Sequence, residues 1–479
     1  MNRHPFHFFL WLAITLTVSS LAQELAPAEA KRKALVEKQD QRGLRFSRQA
    51  VIDRSQRMLA PPSSISRWTG FTVAATPPEI EFVLAPVQPR FFDQPPDGYF
   101  SGVWSNWSQG AYHSTTKKFF SAIGSHRFYK PLLYLFEYDA VSRSIRRLPE
   151  INAALGRADA EYGDGKIHGW LDFYNQDELF FCTYWCQYPE PSEKEFLSGY
   201  EGGCLLSYNV MNGRFTDYGV PVPRASWPYH RLDTRRGMMY AVGMFGEFLA
   251  FDVSTRRIRW AGYPPPGLRW YWRTMLIDEE TGLVYSTNNL RQDSSVHMIR
   301  YDPVKNRFFK MNATVPPDTI ADDRAQMRAH IRSKRKDGSF IAVSLGGRLF
   351  SFYPEKDRVQ DLGDCWPGPH RYTTSLAMSP DEKYVYYMPA AHGQAYLEGA
   401  PLIQYNTHSG ERKVLAFLHP FYYEKYGYIP GGTFSVVMDD KGETLFLVLN
   451  GAFAEYDPQG GDVFGDPSIL VVHIPESER

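Results

Sequence analysis

The chain has 479 residues, enough for one large repeat domain or roughly two to three ordinary ones. Hydrophobic residues make up 43% and charged residues 22%, which excludes a disordered chain. The 53 basic and 53 acidic residues cancel, so bulk charge makes no case for nucleic acid or an anionic membrane.

Aromatics reach 15%, and Tyr, Phe and Trp favour pleated strands. Arg3, His4 and His7 precede an apolar run over 8–22, with Ser20 and Ala22 at small-x-small cleavage positions. This predicts a removed export signal over 1–22 and a secreted or periplasmic protein. The run is short for a membrane span, an uncleaved anchor being the alternative, and no later stretch could cross. Residues 23–62 are rich in Ala, Lys, Arg, Glu and Gln and predict a helical or mobile leader that ends at Pro61 and Pro62.

From 63 to 479 the chain reads as strands and turns. A short apolar strand closing on an aromatic and an acid or amide recurs at 132–139, 205–209, 248–252, 298–302, 349–353, 402–406 and 469–474. Each follows an apolar strand, at 119–123, 179–183, 238–242, 283–287, 340–344, 384–388 and 445–449. A first strand precedes each pair, at 111–114, 167–173, 229–233, 273–277, 329–333, 373–378 and 433–438. Six units continue into a fourth strand, as at 214–218, 257–261, 307–311 and 358–362. A period near fifty residues is the mark of a propeller or solenoid. The expected fold is all-β, a seven-bladed β-propeller of four-stranded antiparallel blades, with a two-domain β-sandwich as the alternative. The seventh unit lacks its outer strand, and a strand from 71–75 or 80–85 is expected to supply it and close the ring.

Of the cysteines Cys182, Cys186, Cys204 and Cys365, Cys186 ends one predicted strand and Cys204 begins the next. An exported protein could pair them, a cross-link worth about 3 kcal/mol in the chain-entropy model. The alternative is a metal site of Cys182 and Cys186 with a histidine, although the spacing is not a zinc pattern.

In a propeller the turns into the innermost strands gather at one mouth of the channel, with the connections from second to third strand. The turns bring Trp104, Trp107, Tyr112 and His113; Lys166 and His168; Trp227, Tyr229, His230 and Arg231; Trp270, Tyr271, Trp272 and Arg273; Arg328, His330 and Arg332; His370, Arg371 and Tyr372; and Gly431 with Gly432. The connections add Ser125, His126, Tyr184, Trp185, Asn288, Asn289, His392 and Asn450. The expectation is a basic, aromatic mouth on a neutral molecule. Arginine holds a carboxylate or sulfate through two parallel hydrogen bonds, and flat aromatics stack on sugar faces, so the expected partner is an acidic oligo- or polysaccharide. A slip of one residue in register would reverse which side chains reach the site. No phosphate-binding glycine loop, Gly-x-Ser-x-Gly elbow, His-Glu-x-x-His or pair of mouth carboxylates is present.

The repeats, the export signal and the histidine-rich mouth resemble the secreted propeller polysaccharide lyases, the group of oligogalacturonate and ulvan lyases. Residues 119–126, 162–172 and 227–233 carry the resemblance. It implies β-elimination at a uronate. His168 or His230 would be the base, and Tyr229 or Tyr184 the acid. Arg273, Arg328 and His330 would neutralise the carboxylate. Lys166, Arg231, Arg371, His126, His392, Trp185 and Trp272 would complete substrate binding. Oligogalacturonate lyases hold a metal in a histidine–glutamine cluster, of which only Gln326 and His330 have counterparts here. The set is more similar to the ulvan-type enzymes, which use no catalytic metal, so no cofactor is expected. The alternatives are a non-catalytic glycan- or protein-binding propeller and a metal-dependent, lactonase-like hydrolase, for which Asn288 and Asn289 lack an acid.

Overall fold

The computed structural model describes residues 44, 47–85, 105–125, 129–157, 160–185, 190–288, 295–317, 325–453 and 461–479. The expected signal over 1–22, most of the leader, Trp104, His126, Cys186 and Asn289 lie outside these residues. Within 48–479 the strands form seven sheets, the blades of a seven-bladed β-propeller. In blade 3, for example, Tyr229–Asp233, Met238–Val242, Phe248–Asp252 and Arg257–Gly262 pair antiparallel in chain order.

The recurring aromatic–acid pair has a physical cause. The acid or amide closes the third strand, and its side-chain oxygen accepts backbone N–H groups of the next turn. Asp139 takes those of Val141 and Ser142, Asn209 those of Met211 and Asn212, and Asp252 those of Ser254 and Thr255. Asp302 and Asn406 repeat the arrangement. Such Asx turns meet backbone donors that a tight hairpin leaves unpaired. The preceding aromatics face the neighbouring blade: Tyr138, Tyr208, Phe251 and Tyr301 are all buried.

Both candidate closing strands are used, in different blades. Glu79–Leu84 pairs antiparallel with Ser468–His473 and is the missing outer strand of blade 7. Thr72–Val73 adds in parallel to Arg412–Phe417 of blade 6. The described end of the leader differs from a helix. Val51–Asp53 pairs with Glu79–Leu84 as a fifth strand of blade 7, followed by a single 3-10 turn over Gln56–Leu59. The sheet therefore begins inside the 23–62 segment. Asp53, buried there, is bound by Lys425 and Tyr426 of the helix Leu418–Tyr426, which supply the charge and donors it needs.

Three innermost strands start later than expected: Asp172–Tyr174, Leu276–Asp278 and Ala377–Met378. Near the axis the blades converge, and the backbone there bonds across blades instead of to its own second strand. Gln109 donates to Gly169 O, Trp170 to His230 O and Leu171 to Gln109 O. The sequence pattern continues through these residues although their ladder does not.

Glu81 pins blade 7 to blade 1. It is 2% exposed and meets His473 Nε2 at 2.8 Å, Arg143 Nε at 3.1 Å and the hydroxyl of Tyr138. Burial pushes its carboxyl up, but hydrogen bonds from His473 and Tyr138, with the charges of His473 and Arg143, outweigh burial and hold it below the ordinary 4.5. A depressed carboxyl contributes stability that is present above its unfolded pKa and lost as pH falls through the folded one. Glu81→Gln should therefore cost roughly 1.5–3 kcal/mol at neutral pH. In urea titrations repeated across pH, that difference should shrink below 4.5. A pH-independent difference would count against this role.

Candidate functional site

The structure divides the expected site residues into a mouth cluster and a deeper collar. At the mouth, Lys166 and Tyr184 bond each other's backbone across blade 2, at 3.1 and 2.8 Å. Lys166 Nζ lies 4.6 Å from the centre of the Trp107 ring. His168 stacks on the same ring, 6.0 Å between centres and 9° between planes. Phe434 closes the floor, 4.7 Å from Trp107 and 6.1 Å from His168.

Across from these rings stand Arg273, Arg328 and Tyr372. Arg328, 3% exposed, donates its Nε–H to Tyr372 Oη at 2.8 Å and Nη1–H to Arg273 O at 3.4 Å. Arg273 lies over Trp272 at 4.1 Å and is the second guanidinium within hydrogen-bonding reach of Tyr372. Among the described residues neither arginine has a carboxylate partner. Burial alone would push the Tyr372 phenol up, but the charges of Arg328 and Arg273 and their hydrogen bonds overcome it and bring it below 10. The same field acts in the same direction on His168. Burial, then Arg273, Arg328 and Lys166, hold it neutral well below its ordinary 6.5, and its Nδ1 is buried without a partner. At the rim, His392 Nδ1 meets Asp462 at 2.9 Å.

The collar lies deeper. Asp172 accepts from Arg231 Nε at 3.1 Å and from Leu232 N–H at 2.9 Å, and meets Arg332 Nη2 at 2.8 Å. Arg231 and Asp172 are both fully buried, and the Arg231 guanidinium lies 3.9 Å from the centre of the Trp170 ring. His330 stacks on that ring at 5.5 Å and 7°.

Several expected roles meet a different geometry. His330 was to carry positive charge, but its ring nitrogens face the carbonyls of Ile331 and Met275 at 2.8 and 2.7 Å, and burial first, then Arg231, lowers it to about 4. His230 belongs to the collar, fully buried and lowered to about 4 by burial. Its ring fills the space that a Cβ on Gly169 would take, 2.5 Å from Nδ1. Tyr229 accepts from Trp170 Nε1 at 2.7 Å, and burial raises its phenol. Arg231 is committed to Asp172, and Arg371 to Asp364 at 2.7 Å. Trp185 is 1% exposed and packs on Tyr200 at 4.7 Å, so no sugar can stack on it. Asn288 is buried and accepts from His297 N–H at 3.1 Å. Cys204 is a free thiol whose Sγ accepts from Arg157 Nη1 at 2.6 Å, and its expected partner Cys186 lies outside the described residues. Cys182 and Cys204 belong to the hydrophobic clusters on different faces of blade 2. Among the described residues no three His, Cys, Asp or Glu side chains converge as metal ligands, and no helix is long and apolar enough to cross a membrane.

Sequence reasoning placed Tyr372 at the mouth but gave it no role. Residues 371 and 372 precede the inner strand Ala377–Met378, so no strand alternation told Tyr372 from Arg371.

No family model matches the chain, and no curated protein matches it. Among solved structures it is similar to the WD40 repeats of RRP9, with 8% sequence identity and a TM-score of 0.49 over 82% of this chain and 99% of that one.

A near-ultraviolet titration should resolve a phenolic phase below 10 that belongs to Tyr372. Tyr372→Phe should remove that phase, and Arg328→Ala should move it upward. A wild-type phase that survives Tyr372→Phe would assign the shift elsewhere.

Proposed function

We propose that this propeller binds an acidic saccharide at its channel mouth, with the carboxylate or sulfate held by Arg273 and Arg328. The observation that supports this is the convergence of both guanidiniums on one phenol, with no carboxylate beside them among the described residues. A buried cation without a counter-charge is costly, and an incoming anion relieves that cost while forming charge-assisted hydrogen bonds. Lys166 adds a third cation nearby. Trp272 is half-buried and offers a flat apolar face beside Arg273.

Binding of a polyuronate or a sulfated uronan should exceed that of a neutral glucan of equal length and should weaken with salt. Arg328→Ala should lower the affinity roughly ten- to a hundredfold, from the loss of charged hydrogen bonds. Equal affinity for the neutral glucan, measured by calorimetry, would reject the reading.

A second reading, β-elimination at the bound uronate, draws support from Tyr372 and His168. Two arginines favour the phenolate of Tyr372, and a neutral His168 has an unpartnered nitrogen. The arginines would stabilise charge on the carboxylate as His168 Nδ1 takes the neighbouring proton and the carbon–oxygen bond breaks. The Tyr372 phenol gives its own proton to the departing oxygen and is left as the phenolate the arginines favour; return of the proton from His168 to Tyr372 restores the site. This shifts the acid–base roles from Tyr229, Tyr184 and His230 to Tyr372 and His168. If it holds, polyuronate should give an unsaturated product absorbing in the near ultraviolet, and Tyr372→Phe should abolish it while retaining binding. Binding without product across a panel of uronans would leave the propeller a non-catalytic glycan binder.

A further inference from the structure

A cavity of 620 Å³ opens at the end of the channel away from the mouth. Tyr112, Phe173, Met378 and Met438 line it, and they lie in or at the ends of the innermost strands Ala111–His113, Asp172–Tyr174, Ala377–Met378 and Tyr428–Met438. Lys166 and Tyr372, in contrast, precede the innermost strands of their blades. The Asp172–Arg231–Arg332 collar stands between the two regions, with Arg332 on the wall of this cavity.

The charge of this cavity is opposite to that of the mouth. Its two cations are already neutralised. Arg332 meets Asp172 at 2.8 Å, and Lys334 meets Asp278 at 3.2 Å and Glu280 at 2.5 Å. Its carboxylates are not: Glu382, Asp439 and Asp440 have no cationic partner among the described residues. Asp439 spends Oδ1 on the N–H groups of Glu443 and Thr444, at 2.9 and 3.1 Å, and Asp440 is exposed. The wall records the resulting field. Burial, followed by the charges of Asp439 and Asp440, pushes the Tyr112 phenol up to about 12.

We infer that this cavity docks a basic segment of a partner protein, with an arginine or lysine stem against Tyr112, Phe173 and the two methionines and its charge towards Asp439 and Asp440. The apolar lining needs an occupant with a hydrocarbon stem, which an inorganic cation lacks. Aromatic rings beside carboxylates attract ammonium and guanidinium groups, and thioethers adapt to stems of different shape. The volume falls in the range of ligand cavities and exceeds one side chain, which suits a peptide segment.

Fluorescently labelled hexa-arginine, hexalysine and hexaglutamate, titrated into the full chain, test this. The basic peptides should bind saturably, and Asp439→Asn with Asp440→Asn should weaken them roughly tenfold or more, by loss of two charge interactions. Asparagine keeps the turn-capping oxygen of Asp439, and Asp440→Asn alone, at an exposed side chain, should act in the same direction without altering the thermal midpoint. Hexaglutamate affinity should be unchanged by these substitutions, because the cationic mouth lies elsewhere. Basic peptides that do not bind, that bind the double variant equally well, or that are matched in affinity by spermidine would overturn the inference.

Discussion

A ring of sheets has two ends, and the outermost strand of its last blade must come from somewhere. Here Glu79–Leu84, from ahead of the first blade, bonds along Ser468–His473, the last strand of the chain. Six residue pairs make that seam. Without it, the edge of Ser468–His473 would be an unpaired row of donors and acceptors in the middle of a hydrophobic interface with blade 1. Val83, Ile469 and Val471 of blade 7 pack there with Phe119, Phe136 and Tyr138 of blade 1. Glu81 lies within the seam and reaches to Tyr138 and Arg143, so the closing strand joins the blades by charge as well as by backbone pairing. Asn450 and Asn106 exchange two further hydrogen bonds between the same blades, at 2.8 and 2.9 Å.

Closure brings residues distant in sequence to one axis. Arg273, Arg328 and Tyr372 come from blades 4, 5 and 6, and Lys166 and His168 from blade 2. None of these environments is local. The guanidiniums stabilise the phenolate of Tyr372 and disfavour a proton on His168, so one electrostatic cluster weakens the hold of both groups on a proton. Further along the axis Asp172 neutralises Arg231 and Arg332, and beyond it the unpaired charge among the described residues is carboxylate. The channel is therefore polar along its length on a chain whose formal charge is zero.

The second and third strands of every blade were legible because they obey a local rule. Each is buried on both faces, so it reads as a continuous apolar run, and the acid or amide that ends several of the third strands caps the turn that follows it. The innermost strands were less legible. Residues such as Trp170 and Leu171 keep strand-like composition while their backbone bonds to neighbouring blades. The site fared in the same way. Lys166, His168, Arg273 and Arg328 reach the mouth as their positions before or at the start of an inner strand imply. His168, His230 and His330 each hold the second position of an expected inner strand, yet His230 and His330, with Arg231, join the collar, a difference that strand position alone does not carry.

The amino-acid sequence by itself determined the number of blades, the supply of a closing strand from the N-terminal side and the gathering of cations and aromatics near the axis. These follow from periodicity, turn chemistry and the need to cover a sheet edge, all of which act over a few residues or one repeat. Only the tertiary structure decided which cations are neutralised and which are not. Arg231 and Arg371 have carboxylates at 3.1 and 2.7 Å, while Arg328 has a phenol at 2.8 Å. The physical reason is that charge interactions fall off over a few ångströms and depend on burial, and both are set by the packing of one blade against others far away in the chain.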